Sequence, residues 1–351
     1  MSATQSSPET VVYVSNAGGP EIHVMSLDRR TGEVELIDKV PIPGADKPSP
    51  TSMPMALSPD KRLLYSALRS EPFTVATFKI DPESGKLSHL GNAPLDASMA
   101  YTTIDKTGKW LLCASYPGGE MTINPVEADG KVKAPPIQII KNRPKAHCVV
   151  VDAANKYVYC PVLAQDVLLQ FKFDPASGMV TPNSPAEVKT KPGAGPRHLA
   201  FHPSGKFLYL ITETTATIGA YAVNPTNGTL KELQFVDMLA PNTLKEQPAA
   251  ADLHVTPDGR YLYGSERRSS SLVGFKIDPE KGTLSLVGRY PTETTPRGFG
   301  IDSQGKFLLS VGLDSNHMTI YGIRANGSLD PMKQHAMGKQ PNWVEIVDLK
   351  A

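Results

Sequence analysis

The sequence predicts an all-β fold: a seven-bladed β-propeller with four strands per blade. Three observations predict it. A strand–turn–strand pattern recurs along the chain at roughly 50-residue spacing, the long end of propeller repeats. No helical period appears between the strands. Each end of the chain supplies the half-unit that the other end lacks.

The clearest unit is Gly195–Leu230, GPRHLAFHPSGKFLYLITETTATIGAYAVNPTNGTL. It reads as a strand (Arg197–Phe201), a His-Pro-Ser-Gly turn, a longer strand (Lys206–Thr212), a third strand (Thr217–Val223) and an Asn-Gly turn. Each strand is rich in β-branched or aromatic residues and is bounded by turn residues. The second strand recurs as SPDKRLLYSALR, DKTGKWLLCASY, DAANKYVYCPVL, HPSGKFLYLITE, TPDGRYLYGSER and DSQGKFLLSVGL. Its cation falls at Arg62, Lys109, Lys156, Lys206, Arg260 and Lys306. A third strand such as FKIDP and a Gly turn into a fourth strand, such as SGKLSHL or KGTLSLV, complete most units. Four strands without helices make a propeller blade.

Blades are expected to begin near Met53, Ser98, Pro144, Gly195, Ala249 and Pro296, with Pro135–Arg143 as the last strand of one blade. Val11–Asn16 (VVYVSN) looks like a second strand with no first strand before it. Pro341–Val347 (PNWVEIV) looks like a first strand with no second strand after it. One shared blade closes the ring and removes open sheet edges that would invite aggregation. Residues 1–9 are expected to be a disordered tail, and residues 10–351 a single propeller domain.

The 351 residues carry a net charge of +1, which makes no electrostatic case for nucleic acid or a membrane surface. The first residues lack a basic region followed by an apolar run, and no apolar stretch approaches ~20 residues. Cys113, Cys148 and Cys160 are odd in number and read as buried free thiols in a reducing compartment. The chain is therefore expected in the cytoplasm. Asn227-Gly228-Thr229 and Asn326-Gly327-Ser328 read as hairpin turns rather than glycosylation sites. His198 and His202 lie about 13 Å apart along an extended strand, too far to share a metal. GAGP (193–196) opens onto a strand, whereas phosphate loops open onto a helix.

In a blade, the start of the first strand and the end of the second lie on one rim near the axis. Aligning the repeats collects the residues there. Second-strand ends give Ala17, Arg69, Tyr116, Leu163, Glu213, Arg267 and Leu313. First-strand starts give Met53, Ala100, His147, Arg197, Ala251, Arg297 and Asn342. One step further in lie His198 and Asp252, and Glu266 sits beside Arg267. Singly these are ordinary: a rim arginine is usually solvated, Arg197 with Glu213 could be a simple ion pair, and His198 and His254 could be satisfied core imidazoles. Together, several like charges on one concave face are unfavourable without an anionic ligand. Arginine grips carboxylate or phosphate bidentately, and His with Glu supplies a base near neutral pH. No nucleophilic elbow and no metal-ligand spacing is present. That suggests water attack or proton transfer on a small anionic substrate, with no cofactor and no metal.

GAGPRHLAFHPSGKFLYLITE, AADLHVTPDGRYLYGSER, PTETTPRGFGIDSQGKFLL, MPMALSPDKRLLY and GKQPNWVEIV closely resemble the bacterial lactonase family of seven-bladed propellers, in particular its cytoplasmic 6-phosphogluconolactonase members. The resemblance spans nearly the whole chain. It implies a carboxylic ester hydrolase that opens 6-phosphoglucono-δ-lactone to 6-phosphogluconate in the pentose phosphate pathway. The same family includes fungal carboxymuconate-lactonising enzymes, which close a lactone ring. Their rim His, two Arg and Glu match His147, Arg197, Arg267 and Glu213, the implied catalytic residues. Thr212 and Glu266 stand where many relatives carry Asn. Arg69, Tyr116, His198, Asp252 and Arg297 are expected to bind substrate, with Arg69, Arg267 or Arg297 on the phosphate and His147 or Glu213 as base. A cycloisomerase and a non-catalytic scaffold are the other readings. The Trp-Asp signature of scaffold repeats is absent. The partner is a small anionic sugar lactone, and the protein is expected to be a monomer or weak dimer.

Overall fold

A computed structural model describes residues 8–349 of the chain. Among them, twenty-eight strands, β1–β28 in chain order, form seven four-stranded antiparallel sheets. The seven first strands are β4 (Met55–Leu57), β8 (Tyr101–Ile104), β12 (Val150–Val151), β16 (Pro196–Phe201), β20 (Ala250–Val255), β24 (Pro296–Ile301) and β28 (Pro341–Asp348). First strands of successive blades touch from β16 through β20, β24, β28 and β4 to β8, and β13 touches β16, so this is the expected seven-bladed propeller. The closing blade has the order β28, β1 (Thr10–Asn16), β2 (Glu21–Leu27), β3 (Val34–Pro41). Its first strand comes from the far end of the chain, as the two half-units require. Apart from Pro8 and Glu9, the expected N-terminal tail lies outside the described residues. Glu9 is tied in, because its carbonyl accepts a hydrogen bond from the Leu349 N–H.

Second strands are buried along nearly their whole length, for example Phe207–Thr212 (β17) and Tyr261–Glu266 (β21). Fourth strands are buried at their first residue and half-buried or exposed beyond it, as sheet edges facing water are. Apolar second- and third-strand side chains fill the gaps between blades. The strand expected over 135–143 is shorter, Gln138–Ile140 (β11). Pro135 and Pro136 have no N–H to give a ladder, so pairing starts only after them.

A repeated clasp joins the blades. In each one, the Gly of the turn between third and fourth strands has positive φ and lies against the first side chain of the preceding blade's second strand. Gly228 packs on Tyr157, Gly282 on Phe207, Gly327 on Tyr261 and Gly32 on Phe307. A Cβ there would approach within 2.3 Å of the Tyr157 and Phe207 rings, so only glycine fits. Two residues along, the recurring Tyr donates its hydroxyl to the same glycine's carbonyl: Tyr13 to Gly85, Tyr65 to Gly130, Tyr159 to Gly228, Tyr209 to Gly282 and Tyr263 to Gly327. The Tyr of the sequence repeat is thus an interblade bond. Where Leu112 replaces it, Trp110 Nε1 reaches the next blade's Pro175 carbonyl at 2.9 Å.

Candidate active site

The first strands are irregular at the rim. On β16, Pro196 pairs with Thr212 but His198 pairs with Ile211, so Arg197 is an extra residue. The same slip isolates Arg297 on β24, Asn342 on β28, and Ala251 with Asp252 on β20. Ahead of β12, Ala146 faces Val162 while Val150 pairs with Tyr159, and His147 falls in the step between. A bulge bends the strand and re-aims side chains that regular pairing would send elsewhere. Five of the seven first-strand starts collected from the sequence, His147, Arg197, Ala251, Arg297 and Asn342, therefore sit at such steps.

The rim is held by guanidinium contacts. Arg197 Nε donates to Glu213 Oε2 at 2.8 Å, and Nη1 donates to the Ala251 carbonyl of the next blade. Arg267 Nη2 lies 3.1 Å from Glu213 Oε1, and its Nε donates to the Ala249 carbonyl. Arg69 donates to the hydroxyls of Ser98, Thr51 and Ser52. Arg297 has no hydrogen bond or ion pair among the described residues, yet it feels Arg197, Arg267 and Arg69. Burial, and then those three cations, pull its pKa well below the ordinary arginine value. Burial and then Arg267 bring Arg197 down to about 10. Glu213 is held below the usual carboxylate range because the arginines Arg197, Arg267 and Arg297 outweigh its burial. Arg197 and Glu213 do form the ion pair that the sequence allowed, with the Arg197 side chain buried at 1% exposure and Glu213 half-buried.

Beside the arginines stand two imidazoles. The rings of His147 and His198 are 5.0 Å apart, centroid to centroid, and Tyr116 lies edge-on to His147 at 5.5 Å. Burial, followed by Arg197 and His198, drives the His147 pKa well below 6.5. Burial and Arg197 bring His198 down to about 4, against the pull of Asp252. His198 Nδ1 is 3.0 Å from Asp252 Oδ1, and Asp252 Oδ2 is 3.1 Å from His254 Nε2. Both His147 Nδ1 and His198 Nε2 are buried without a partner.

The structure thus brings Arg69, Tyr116, His147, Arg197, His198, Glu213, Asp252, Arg267 and Arg297 to one end of the channel. Glu266 does not join them: its carboxylate accepts from the backbone N–H groups of Ala249, Arg268 and Ser269 and is fully buried. Asn342 is structural too, tying the Met53 N–H to the Ser15 and Gln340 carbonyls. Sequence reasoning missed Tyr101 and Trp343, whose rings enclose His198 at 5.2 and 6.1 Å. They occupy the register of His198 and Asp252 on β8 and β28, so extending that column of the repeat alignment finds them. The far end of the channel holds a cavity of about 260 Å³, lined in part by Tyr101, Thr103, Trp343 and Glu345. Among the described residues, no group of three or more His, Cys, Asp or Glu is placed to hold a metal ion. The three cysteines are buried and free.

Three guanidiniums, Arg197, Arg267 and Arg297, act on Glu213, and Arg69 acts on Arg297, so four cations face the carboxylates of Glu213 and Asp252 and the mouth attracts an anion. Fold and site define a closed seven-bladed propeller with an anion-attracting channel mouth. The family model described as lactonase, 7-bladed beta-propeller, matches residues 11–346. The chain belongs to this lactonase family. It is 37% identical to a 6-phosphogluconolactonase of Pectobacterium carotovorum over 97% of this chain and 99% of that protein. A 6-phosphogluconolactonase of Erwinia tasmaniensis is 36% identical over 96% of this chain and 98% of its own. The structure of a periplasmic gluconolactonase from Pseudomonas aeruginosa superposes with a TM-score of 0.86 at 27% identity, covering 97% of this chain and 99% of that one.

Proposed function

We propose that this protein is a 6-phosphogluconolactonase, which hydrolyses 6-phosphoglucono-δ-lactone to 6-phosphogluconate without a metal. The observation that carries the reading is the surplus of guanidinium charge at the channel mouth, with Arg297 left unpartnered among the described residues. A phosphate dianion neutralises such a cluster. Arg297 and Arg69 take the phosphate. Arg267 and Arg197, both oriented by Glu213, face the lactone carbonyl and stabilise the oxyanion that forms there. Glu213 is the anchor of these arginines rather than the base, since two guanidiniums occupy its oxygens. A neutral imidazole takes the proton of the attacking water and returns it to the ring oxygen, which leaves as a hydroxyl.

The same reading places the protein in the cytoplasm, with its phosphorylated substrate, as a monomer or weak dimer. No helix among the described residues is long and apolar enough to cross a membrane. The test is a coupled assay with freshly made 6-phosphoglucono-δ-lactone, with and without chelator. Acceleration above the spontaneous rate that survives chelation is the expected result. A rate equal to the spontaneous one removes the assignment and turns attention to unphosphorylated lactones and to carboxymuconate.

A further inference from the structure

We infer that His198, oriented by Asp252, is the general base that activates the attacking water, and that His147 acts beside it as a neutral imidazole. The inference rests on the lactonase reading and assigns its proton acceptor.

The tautomer comes first. Asp252 accepts at both oxygens and can only accept while ionised. His198 Nδ1 therefore carries the proton, and Nε2 is left with a bare lone pair. That atom is buried and has no protein partner. A buried nitrogen acceptor without a partner is unfavourable unless water or substrate meets it. The ring around it is fixed: Tyr101 packs edge-on, and Trp343 closes another side. His254 Nε2 and the Phe299 N–H hold the second carboxylate oxygen, so Asp252 cannot turn away.

Charge then separates the two imidazoles. A base must become an imidazolium during the reaction, so it needs a nearby anion. The groups that act most on the His147 charge are Arg197, His198 and Arg297, with Tyr116 edge-on to its ring, and no hydrogen bond or ion pair joins it to a carboxylate among the described residues. Its imidazolium would be uncompensated. His198 meets the same arginines, but it alone has a carboxylate in direct contact. Asp252 is thus a positioning residue: it sets the tautomer and stabilises the transient imidazolium.

The step balances as follows. A water O–H bond breaks as its oxygen bonds to the carbonyl carbon, and the proton goes to His198 Nε2. The oxyanion collapses, the bond from the carbonyl carbon to the ring oxygen breaks, and that oxygen takes the proton back from Nε2.

Three variants test this on the whole protein: His198→Gln, Asp252→Asn and His147→Gln. The first two are expected to lower kcat ~10²–10⁴-fold, the usual contribution of a general base, with KM little changed. In the pH profile of kcat/KM, the acid limb reports protonation of the base. Asp252 favours the imidazolium, so Asp252→Asn moves that limb to lower pH. His254→Gln removes a competitor for the Asp252 charge and moves it to higher pH. A role in packing alone moves neither. Nitrogen-15 spectra of labelled histidine read the tautomer without turnover: His198 should carry its proton on Nδ1 in the native protein. An Nε2 proton on His198 overturns the inference, as does an acid limb that follows His147→Gln but ignores Asp252→Asn. Lack of acceleration by the native protein overturns the lactonase reading itself, whatever the tautomer, and so is told apart from either.

Discussion

The arginines of the channel mouth do different work, and their surroundings say which. Arg297 has no bond to lose, so Arg297→Ala should leave the fold intact. Losing one charge-assisted contact to phosphate removes about 1.5–3 kcal/mol. KM should therefore rise about 10–100-fold with kcat much less changed, as uniform binding predicts, measured by steady-state kinetics against the spontaneous rate. Arg197 is the opposite case. It joins Glu213 of its own blade to the Ala251 carbonyl of the next, fully buried. Arg197→Ala should lower kcat and also the melting temperature, because it leaves Glu213 with one partner and a carbonyl with none. Loss of activity at an unchanged melting temperature would mean that this contact is not holding the two blades.

At the scale of strands, the glycine–tyrosine clasp and the rim bulge divide stability from function. Tyr209→Phe removes one buried interblade hydrogen bond and keeps the ring, so urea unfolding should show a loss of about 1 kcal/mol. Gly298 is a second pressure point: a Cβ there would stand 2.3 Å from the Asn342 carbonyl oxygen. Gly298→Ala should push β24 from β28, lowering the melting temperature and raising KM through its neighbour Arg297. The Gly turn of the clasp was legible in the sequence because it falls at a fixed place in the units, but nothing there shows that it meets the preceding blade's Tyr. Arg69, Arg197, Glu213, Arg267 and Arg297 were legible for the same reason, as departures from the repeat at equivalent positions. Glu266 was gathered with them only as the neighbour of Arg267, because nothing in the sequence tells a carboxylate facing the axis from one capping its own turn. The bulges left no sequence mark, since one extra residue in a short strand does not disturb the spacing of its neighbours. Nor could the sequence separate Glu213 from His147 as a base. That depends on how many guanidiniums reach each one, which only the closed ring decides.

For the molecule as a whole, burying neutral histidines links stability to pH. His198 titrates near 4 in the folded protein against 6.5 in the open chain, and His147 is lowered in the same sense. Between those values these two side chains bind more protons in the unfolded chain, so the stability they supply is complete above about 6.5 and falls as pH drops toward 4. Each such histidine contributes a slope of up to ~1.4 kcal/mol per pH unit. Glu345, raised to about 7 chiefly by burial, opposes them with one proton, and His254, whose burial is outweighed by Asp252 so that its pKa is raised, opposes them above 6.5; below 6.5 the two histidines outnumber Glu345. Urea unfolding across this range should show the decline, and His198→Gln should make it shallower. The shared blade has a temporal meaning as well. Asn342, which ties Met53 to Ser15, lies on β28, which leaves the ribosome after the other twenty-seven strands described. Until it docks, β1 has a naked edge and the circle of arginines is open on one side. A chain without β28 therefore has no finished substrate site, and catalysis itself reports that synthesis has passed β28.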